Sequence, residues 1–407
     1  MPNMFFTEEK AFELIEKYGS PLYVYDEKTL RFRCREMRDL LPKKNMRVNF
    51  SAKANSNLEI LKIVNSEDID VDAMSPGEIF VEQKAGFNKE RIFYVGNNVS
   101  ADEMKYVLEA GVLVSVDSLS QLKLFGEINP GGEVAIRFNS GMGAGHHEKV
   151  ITAGKKTKFG VQKDFICEVK ELLKKYNLKL VGINQHIGSL FLDENQYVDG
   201  AKNLLEIANE FNGLEFIDMG GGFGIPYRPN ENRLDLGKLS EKLDNILDEF
   251  LRGYDNKDLF FRIEPGRYIV AESSALLGIA YSVKENYGTK YVGTDLGFNV
   301  LARPIMYDSY HEVLVINKAL LPEMQKEEVT IVGNICESGD IIAKDRLLPK
   351  ITEGDIIAVM GAGAYGFAMS SNYNCRLKPA EVSLDTNGND KLIRRRDTYE
   401  DLIRNFV

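Results

Sequence analysis

The sequence predicts an α/β fold: a (β/α)8 barrel followed by an all-β domain. Three observations carry this expectation. From about residue 46 to residue 267, short β-branched runs alternate with charged stretches of helical period; after about residue 270, turn-bounded strand-like segments follow one another with few helices between them; and a lone apolar run, PLYVYD (21–26), precedes the alternation with no place in it. Strand–helix alternation implies parallel strands with right-handed crossovers, and eight is the number that closes a barrel. The expected domains are residues 30–270 for the barrel and 1–29 plus 271–407 for the β domain. The latter is β-barrel-like or sandwich-like and takes the N-terminal strand. An open doubly wound sheet is the structural alternative.

Taken in order, residues 1–20 read as a helix with scattered charges. The eight barrel runs are MRVNFSAK (46–53), DIDVDAMS (68–75), RIFYVGN (91–97), LVSVDS (113–118), EVAIRFNS (133–140), LKLVGINQHIG (178–188), LEFIDMGGG (214–222) and DLFFRIEPGR (258–267). Helix signals lie between them: Pro76 at a first helical position with Gly86 past the end, then Ser100 as a cap with Glu103 three residues on and Gly111 closing. Beyond residue 270, LLGIAYSVKEN, KYVGTDLG, EVTIVGNIC and DIIAVMG read as strands of the β domain. No short repeat or Pro-rich linker separates the two domains.

Composition narrows the function. Hydrophobic residues at 44% and charged residues at 28% mark a globular chain, and 51 basic against 61 acidic residues gives a net charge of −10. That charge repels nucleic acid and anionic membranes, and the densest basic run, Arg394–Arg396, reads as a solvated strand end. No signal peptide is legible at the N-terminus, and no apolar stretch approaches the roughly 20 residues that span a bilayer. Cys34, Cys167, Cys336 and Cys375 are too far apart for a metal knuckle and fit reduced thiols, so a cytoplasmic location is expected. His146, His147, His186 and His311 match no zinc motif, and no metal is expected.

Active sites of such barrels lie at the C-terminal ends of the strands. There this sequence carries Lys53, Asp72 and Ser75, Arg137 and Asn139, His186 and Ser189, Gly220–Gly222, and Glu264 with Arg267. Alternation in VNFSAK puts Asn49, Ser51 and Lys53 on the face opposite Val48, Phe50 and Ala52, which aims Lys53 into the barrel mouth. An inward lysine is costly unless paired or used; the alternative is a snorkelling surface lysine. Three glycines after strand seven and Gly266–Arg267 after strand eight occupy the loops that commonly bind phosphate, although glycines also serve tight turns. Phosphate loops combined with an inward lysine suggest pyridoxal 5'-phosphate held as a Schiff base. Glu264 would pair with the pyridinium nitrogen, and His186 could stack on the ring or be a hydrogen-bonded core histidine.

These residues carry a resemblance. FSAKAN (50–55), VDAMSPGEI (71–79), HIGS (186–189), GGGFGIPY (220–227), EPGRYIVA (264–271), DLGFN (295–299), RPIMYDSYH (303–311), CESGD (336–340) and GAYGFAMSSNYN (363–374) span essentially the whole chain. The sequence resembles the alanine-racemase-like group of pyridoxal-phosphate enzymes that includes the ornithine, arginine and diaminopimelate decarboxylases, and its last motifs resemble the diaminopimelate branch. The resemblance implies Lys53 as the Schiff-base lysine, His186 as the ring-stacking histidine and Glu264 as the pyridinium partner. It implies that Ser189, Gly222, Gly266, Arg267 and Tyr365 hold the cofactor. Arg267, Arg303, Tyr307, Glu337 and Tyr365 would contact an amino-acid substrate, with Cys336 as proton donor. Two departures stand out: Asn184 replaces the first histidine of the usual HxHIGS, and Leu190 follows Ser189 where a polar or small residue is usual.

The implied reaction is decarboxylation of meso-2,6-diaminopimelate to L-lysine and CO2, the last step of lysine biosynthesis, by a homodimer with shared active sites. The competing readings are decarboxylation of D-ornithine or D-lysine by the same machinery, and a non-catalytic homologue that acts as a binding partner. Intact Lys53, Glu264 and Cys336 argue against the last. A racemase is conceivable on the same fold, but CESGD favours a decarboxylase.

Overall fold

A computed structural model describes residues 4–139, 144–145, 157–317 and 325–407; His146 and His147 lie outside them. The chain divides into two compact units, Arg31–Ile225 with Asn232–Ile269, and Met1–Leu30 with Pro226–Glu231 and Val270–Val407.

In the first unit all eight expected runs are strands: Met46–Ser51, Asp70–Ala73, Ile92–Tyr94, Leu113–Val116, Glu133–Asn139, Lys179–Asn184, Phe216–Asp218 and Phe260–Ile263. Each pairs in parallel with the next, and the eighth pairs with the first through Phe261 and Met46, so the sheet closes and the open-sheet alternative is excluded. Helices fill the crossovers and start where the sequence signals them. Ser75 Oγ accepts from Glu78 N at 3.2 Å with Pro76 in the first turn, and Ser100 Oγ accepts from Glu103 N at 3.2 Å. The Glu103 carboxylate does not complete a capping box; it accepts from the buried Tyr94 hydroxyl instead. Gly86 and Gly111 sit just past their helices at positive φ.

Period two sorts the barrel interior. Phe93, Ala135, Val181 and Phe216 form a buried cluster, and Phe216 stacks on Phe260 at 5.4 Å. Because Asp218 and Arg262 are register partners one step beyond Phe216 and Phe260, they stand on the same inward face. Asn184 is inward as well: its Oδ1 accepts from Ser115 Oγ at 2.6 Å, so an amide fits the wall of this barrel where a histidine is usual.

The second unit is built on a nine-stranded sheet. Leu22–Asp26 lies inside it, antiparallel to Ser274–Asn286 and parallel to Ala380–Leu384, so the early strand that has no place in the barrel is covered on both edges. All five of its residues are buried. The helix Glu8–Tyr18, capped by Thr7, lays Ala11 and Leu14 on Leu22, Val24, Leu277, Ile356 and Val382. Each large apolar side chain buried in this way contributes about 1.5–3 kcal/mol. Arg394 and Arg395 are neutralised locally and Arg396 is tied to the backbone, so the run is not left as an open basic patch. Arg394 pairs with Asp397 at 2.6 Å, Arg395 with Asp401 at 2.5 Å, and Arg396 donates to the carbonyl of Pro21 at 2.6 Å.

Candidate active site

Within the barrel unit the strand ends bring Lys53, His186, Glu264, Asp72 and Arg137 close enough that each charge acts on its neighbours. Lys53 is half-buried and lies not on the strand itself but on the single 3-10 turn, Ala52–Ala54, that follows it. Its ammonium favours the ionised forms of Asp72, Glu78 and Glu264 and disfavours protonation of His186. Asp72, fully buried, accepts from Ser51 Oγ at 2.7 Å, and burial followed by the nearby Glu264 raises its carboxyl well above the ordinary range. Burial, then Lys53 and Arg137, pushes His186 well below the usual imidazole value, so the ring is neutral.

The glycine loops are tight for a steric reason. A Cβ on Gly221 would lie 2.0 Å from the Glu264 carbonyl oxygen, and one on Gly220, at φ +77°, would lie 2.2 Å from the Gln185 carbonyl oxygen. The loops after strands six, seven and eight therefore press backbone on backbone, with Glu264 N donating to Gly220 O at 3.0 Å. Gly222, at φ +102°, and Gly266 are similarly enclosed, Gly266 by Ser51 and Ala54. Arg267, only 6% exposed, donates from Nη2 to Ser189 Oγ at 3.1 Å. Leu190 adopts φ +70°, a region costly for a branched side chain. It is held there because Phe191 N donates to Gly222 O and Gly224 N to Phe191 O, both at 2.9 Å.

Glu264 is 4% exposed, and its Oε1 meets no hydrogen donor among the described residues. A buried carboxylate oxygen without a donor, an amine nearby, a neutral imidazole and side-chain-free loops carrying an Arg–Ser pair together fit pyridoxal phosphate: ring nitrogen, carbonyl carbon, ring face and phosphate each find a complement.

The remaining candidates belong to the β unit. Cys336 and Glu337 are exposed on the loop before Ile341–Pro349. Cys336 N donates to Asn374 Oδ1 at 2.9 Å, and the Tyr373 hydroxyl donates to Glu337 Oε1 at 2.7 Å. Asn374 and Tyr373 were not singled out as site residues, although both sit in the GAYGFAMSSNYN motif. Asp340 ties this loop to the 295–299 segment by accepting from Ile335 N and Phe298 N, both at 2.7 Å. Arg303 and Tyr307 bound one short helix, Arg303–Tyr307. Arg303 is 1% exposed and lies 4.6 Å over the Tyr227 ring. His311 Nδ1–H donates to Met360 O, which leaves Nε2 to accept from Arg303 Nη1, both at 2.9 Å. Tyr365 takes a left-handed backbone, φ +57°, in a segment pinned where Gly363 N donates to Ala271 O at 3.2 Å.

A parallel eight-stranded barrel with a lysine, a neutral histidine and a buried carboxyl at its strand ends, joined in sequence to a separate β unit, defines a class: the barrel-type pyridoxal-phosphate decarboxylases. The family model for the pyridoxal binding domain of pyridoxal-dependent decarboxylases matches residues 27–271. A diaminopimelate decarboxylase of Methanothermobacter thermautotrophicus is 44% identical over 97% of this chain and 93% of its own length. That of Escherichia coli K12 is 33% identical over 98% and 96%. Among solved structures, diaminopimelate decarboxylase from Helicobacter pylori complexed with L-lysine superposes with a TM-score of 0.88 at 32% identity, covering 97% of this chain and 98% of that one. The chain belongs to the diaminopimelate decarboxylase family, and its cofactor is pyridoxal phosphate.

Proposed function

We propose that this protein removes CO2 from the D centre of meso-2,6-diaminopimelate to give L-lysine, the last step of lysine biosynthesis. The convergence of Lys53, His186 and Glu264 at the strand ends of one closed barrel carries the reading, and full-length similarity to diaminopimelate decarboxylases supports the substrate.

When bound, pyridoxal phosphate supplies an electron sink for the pair left on Cα as the C–carboxylate bond breaks. Lys53 would hold the cofactor through its amine. Glu264 would keep a proton on the pyridine nitrogen. His186, neutral, would face the ring without adding a competing charge. Ser189, Gly222, Gly266, Arg267 and Tyr365 secure the phosphate side. Arg267, Arg303, Tyr307, Glu337 and Tyr365 orient the substrate, with guanidinium groups for carboxylate and Glu337 for the distal ammonium. CO2 departs without its bonding pair, and the Cys336 thiol delivers the proton that Cα needs, so charge and atoms balance.

The exposed setting of Cys336 and Glu337 supports a homodimer in which this loop completes a partner's site. We infer a cytoplasmic protein; no helix among the described residues is long and apolar enough to cross a membrane. Purified protein loaded with pyridoxal phosphate should show a visible absorption band and release one CO2 per L-lysine formed from meso-diaminopimelate. A loaded protein that releases no CO2 from this substrate contradicts the proposal.

A further inference from the structure

Beneath Glu264 the barrel holds two ionisable residues to which the reaction above gives no part. Arg262 and Asp218 face each other across strands eight and seven, one inward step below Glu264 and Gly220. Arg262 is 5% exposed, and its Nε and Nη1 find no hydrogen-bond acceptor among the described residues. Three aromatic rings surround it instead: Phe216 at 4.5 Å, Phe93 at 4.6 Å and Phe260 at 5.4 Å from the guanidinium carbon. Such a cage holds a cation while leaving its field unspent on any one anion. Asp218 is fully buried; Oδ1 accepts from Gly220 N at 2.8 Å, and its carboxyl lies close enough to that of Glu264 for each to act on the other's protonation. Yet neither Asp218 Oδ2 nor Glu264 Oε1 has a donor when both are ionised. One proton between the two carboxyls resolves this.

We propose that Arg262 and Asp218 are a positioning pair that holds Glu264 as the carboxylate: Asp218 keeps the proton and donates it to Glu264, and caged Arg262 supplies a fixed positive charge below both. Burial raises both carboxyls, but at Glu264 Lys53, Arg137 and Arg262 work against that rise, whereas among these cations only Arg262 favours ionised Asp218, so the proton belongs on Asp218. Burial, then the neighbouring Glu264, raises the Asp218 carboxyl well above its ordinary range. The charged groups acting on Arg262 are Asp218, Asp70, Glu264 and Arg47; those on Glu264 are Lys53, Arg137 and Arg262, with Asp72 and Asp218 nearby. A Glu264 kept ionised offers one oxygen to the ring nitrogen with its other contact fixed from below.

This inference rests on the pyridoxal-phosphate reading, so its test has one arm without cofactor and one with it. In cofactor-free protein near neutral pH, infrared difference spectra between wild type and Asp218→Asn should show loss of one protonated-carboxyl band. Absence of that loss means Asp218 is ionised and overturns the proposal, whether or not cofactor binds. In loaded protein, Arg262→Met should move the pH midpoint of the visible cofactor spectrum by about one unit and lower kcat about 10-fold with KM nearly constant, while Arg262→Lys restores most of both. An unmoved midpoint in Arg262→Met, or equal losses in Met and Lys variants, overturns the proposal. Failure of the underlying reading looks different: wild-type protein that takes up no pyridoxal phosphate. Should Arg262→Met fail to fold, the Asp218→Asn infrared arm decides alone.

Discussion

The two units hold their candidate residues in opposite ways. In the barrel unit Glu264, Asp72 and Arg137 are buried at the strand ends beside the partly exposed His186, and the Lys53 ammonium acts on Asp72, His186 and Glu264. In the β unit Cys336 and Glu337 stand exposed on a loop whose backbone is fixed by Asn374 and Asp340. Burial is what sets a protonation state in advance, and the barrel uses it to fix neutral His186. Exposure leaves the Cys336 thiol and the Glu337 carboxylate, which so far holds only the Tyr373 hydroxyl, open to whatever covers them. The difference teaches that the residues proposed for the cofactor sit where burial fixes their state, whereas those proposed for substrate choice and the final proton sit on loops that are ordered but not enclosed. Arg303 breaks the division: it belongs to the β unit and is as buried as any barrel residue.

The division can be broken from either side, most forcefully at Lys53. Lys53→Ala should abolish the visible cofactor band and reduce turnover by about three orders of magnitude or more. Survival of both under the same absorbance and CO2-release measurements would remove Lys53 from the site. On the other side, Cys336→Ala should keep the band and lower product formation about 100-fold, with part of the substrate diverted to deaminated by-products visible by chromatography. Normal, clean turnover would eliminate the thiol as donor. Arg303→Met sharpens the exception: KM for meso-diaminopimelate should rise about 10- to 100-fold while cofactor affinity holds. A fall in thermal stability with unchanged KM would make Arg303 a packing residue tied to His311 and Tyr227.

An effect on stability alone, with none expected on turnover, concerns a buried acid away from the chemistry. Glu82 is fully buried, neither carboxylate oxygen has a partner among the described residues, and burial followed by Asp72 and Glu78 raises its value to about 9. The folded state thus keeps a proton that the unfolded chain releases near 4.5, so wild-type stability falls as pH rises through that window. Glu82→Gln cannot titrate, and its stability relative to wild type should grow by up to about 4 kcal/mol between pH 5 and pH 8 in denaturant titrations. A pH-independent difference would show that Glu82 finds a partner in solution.

The strands were legible because β-branched runs bounded by turn residues leave little choice, and the place of 21–26 followed from its having no slot in the alternation. The position of Lys53 was less so: alternation aimed it inward as part of a strand, but the strand stops at Ser51 and a 3-10 turn carries it. Asp218 and Arg262 lie inside runs read only as strands, LEFIDMGGG and DLFFRIEPGR, although Phe216–Asp218–Gly220 and Phe260–Arg262–Glu264 keep strict period two and mark them as inward. The β-unit candidates came from motif resemblance alone. No periodicity marks a loop such as 334–340, whose shape depends on Asp340 reaching back to Phe298 and on Asn374 receiving Cys336 N. Glu103 was half legible, since its backbone obeys the cap while its carboxylate serves Tyr94.

The claim that guanidinium groups select a distal carboxylate is tested most directly by kcat/KM of the loaded wild-type enzyme for meso-diaminopimelate against D-lysine and D-ornithine, measured as CO2 release. Leaving a buried charge unpaired costs on the order of 3–5 kcal/mol, so meso-diaminopimelate should be favoured by about two to four orders of magnitude. Equal efficiency toward D-lysine or D-ornithine would contradict the assignment of Arg267 and Arg303 and point to Asn184 and Leu190 as the first positions to alter.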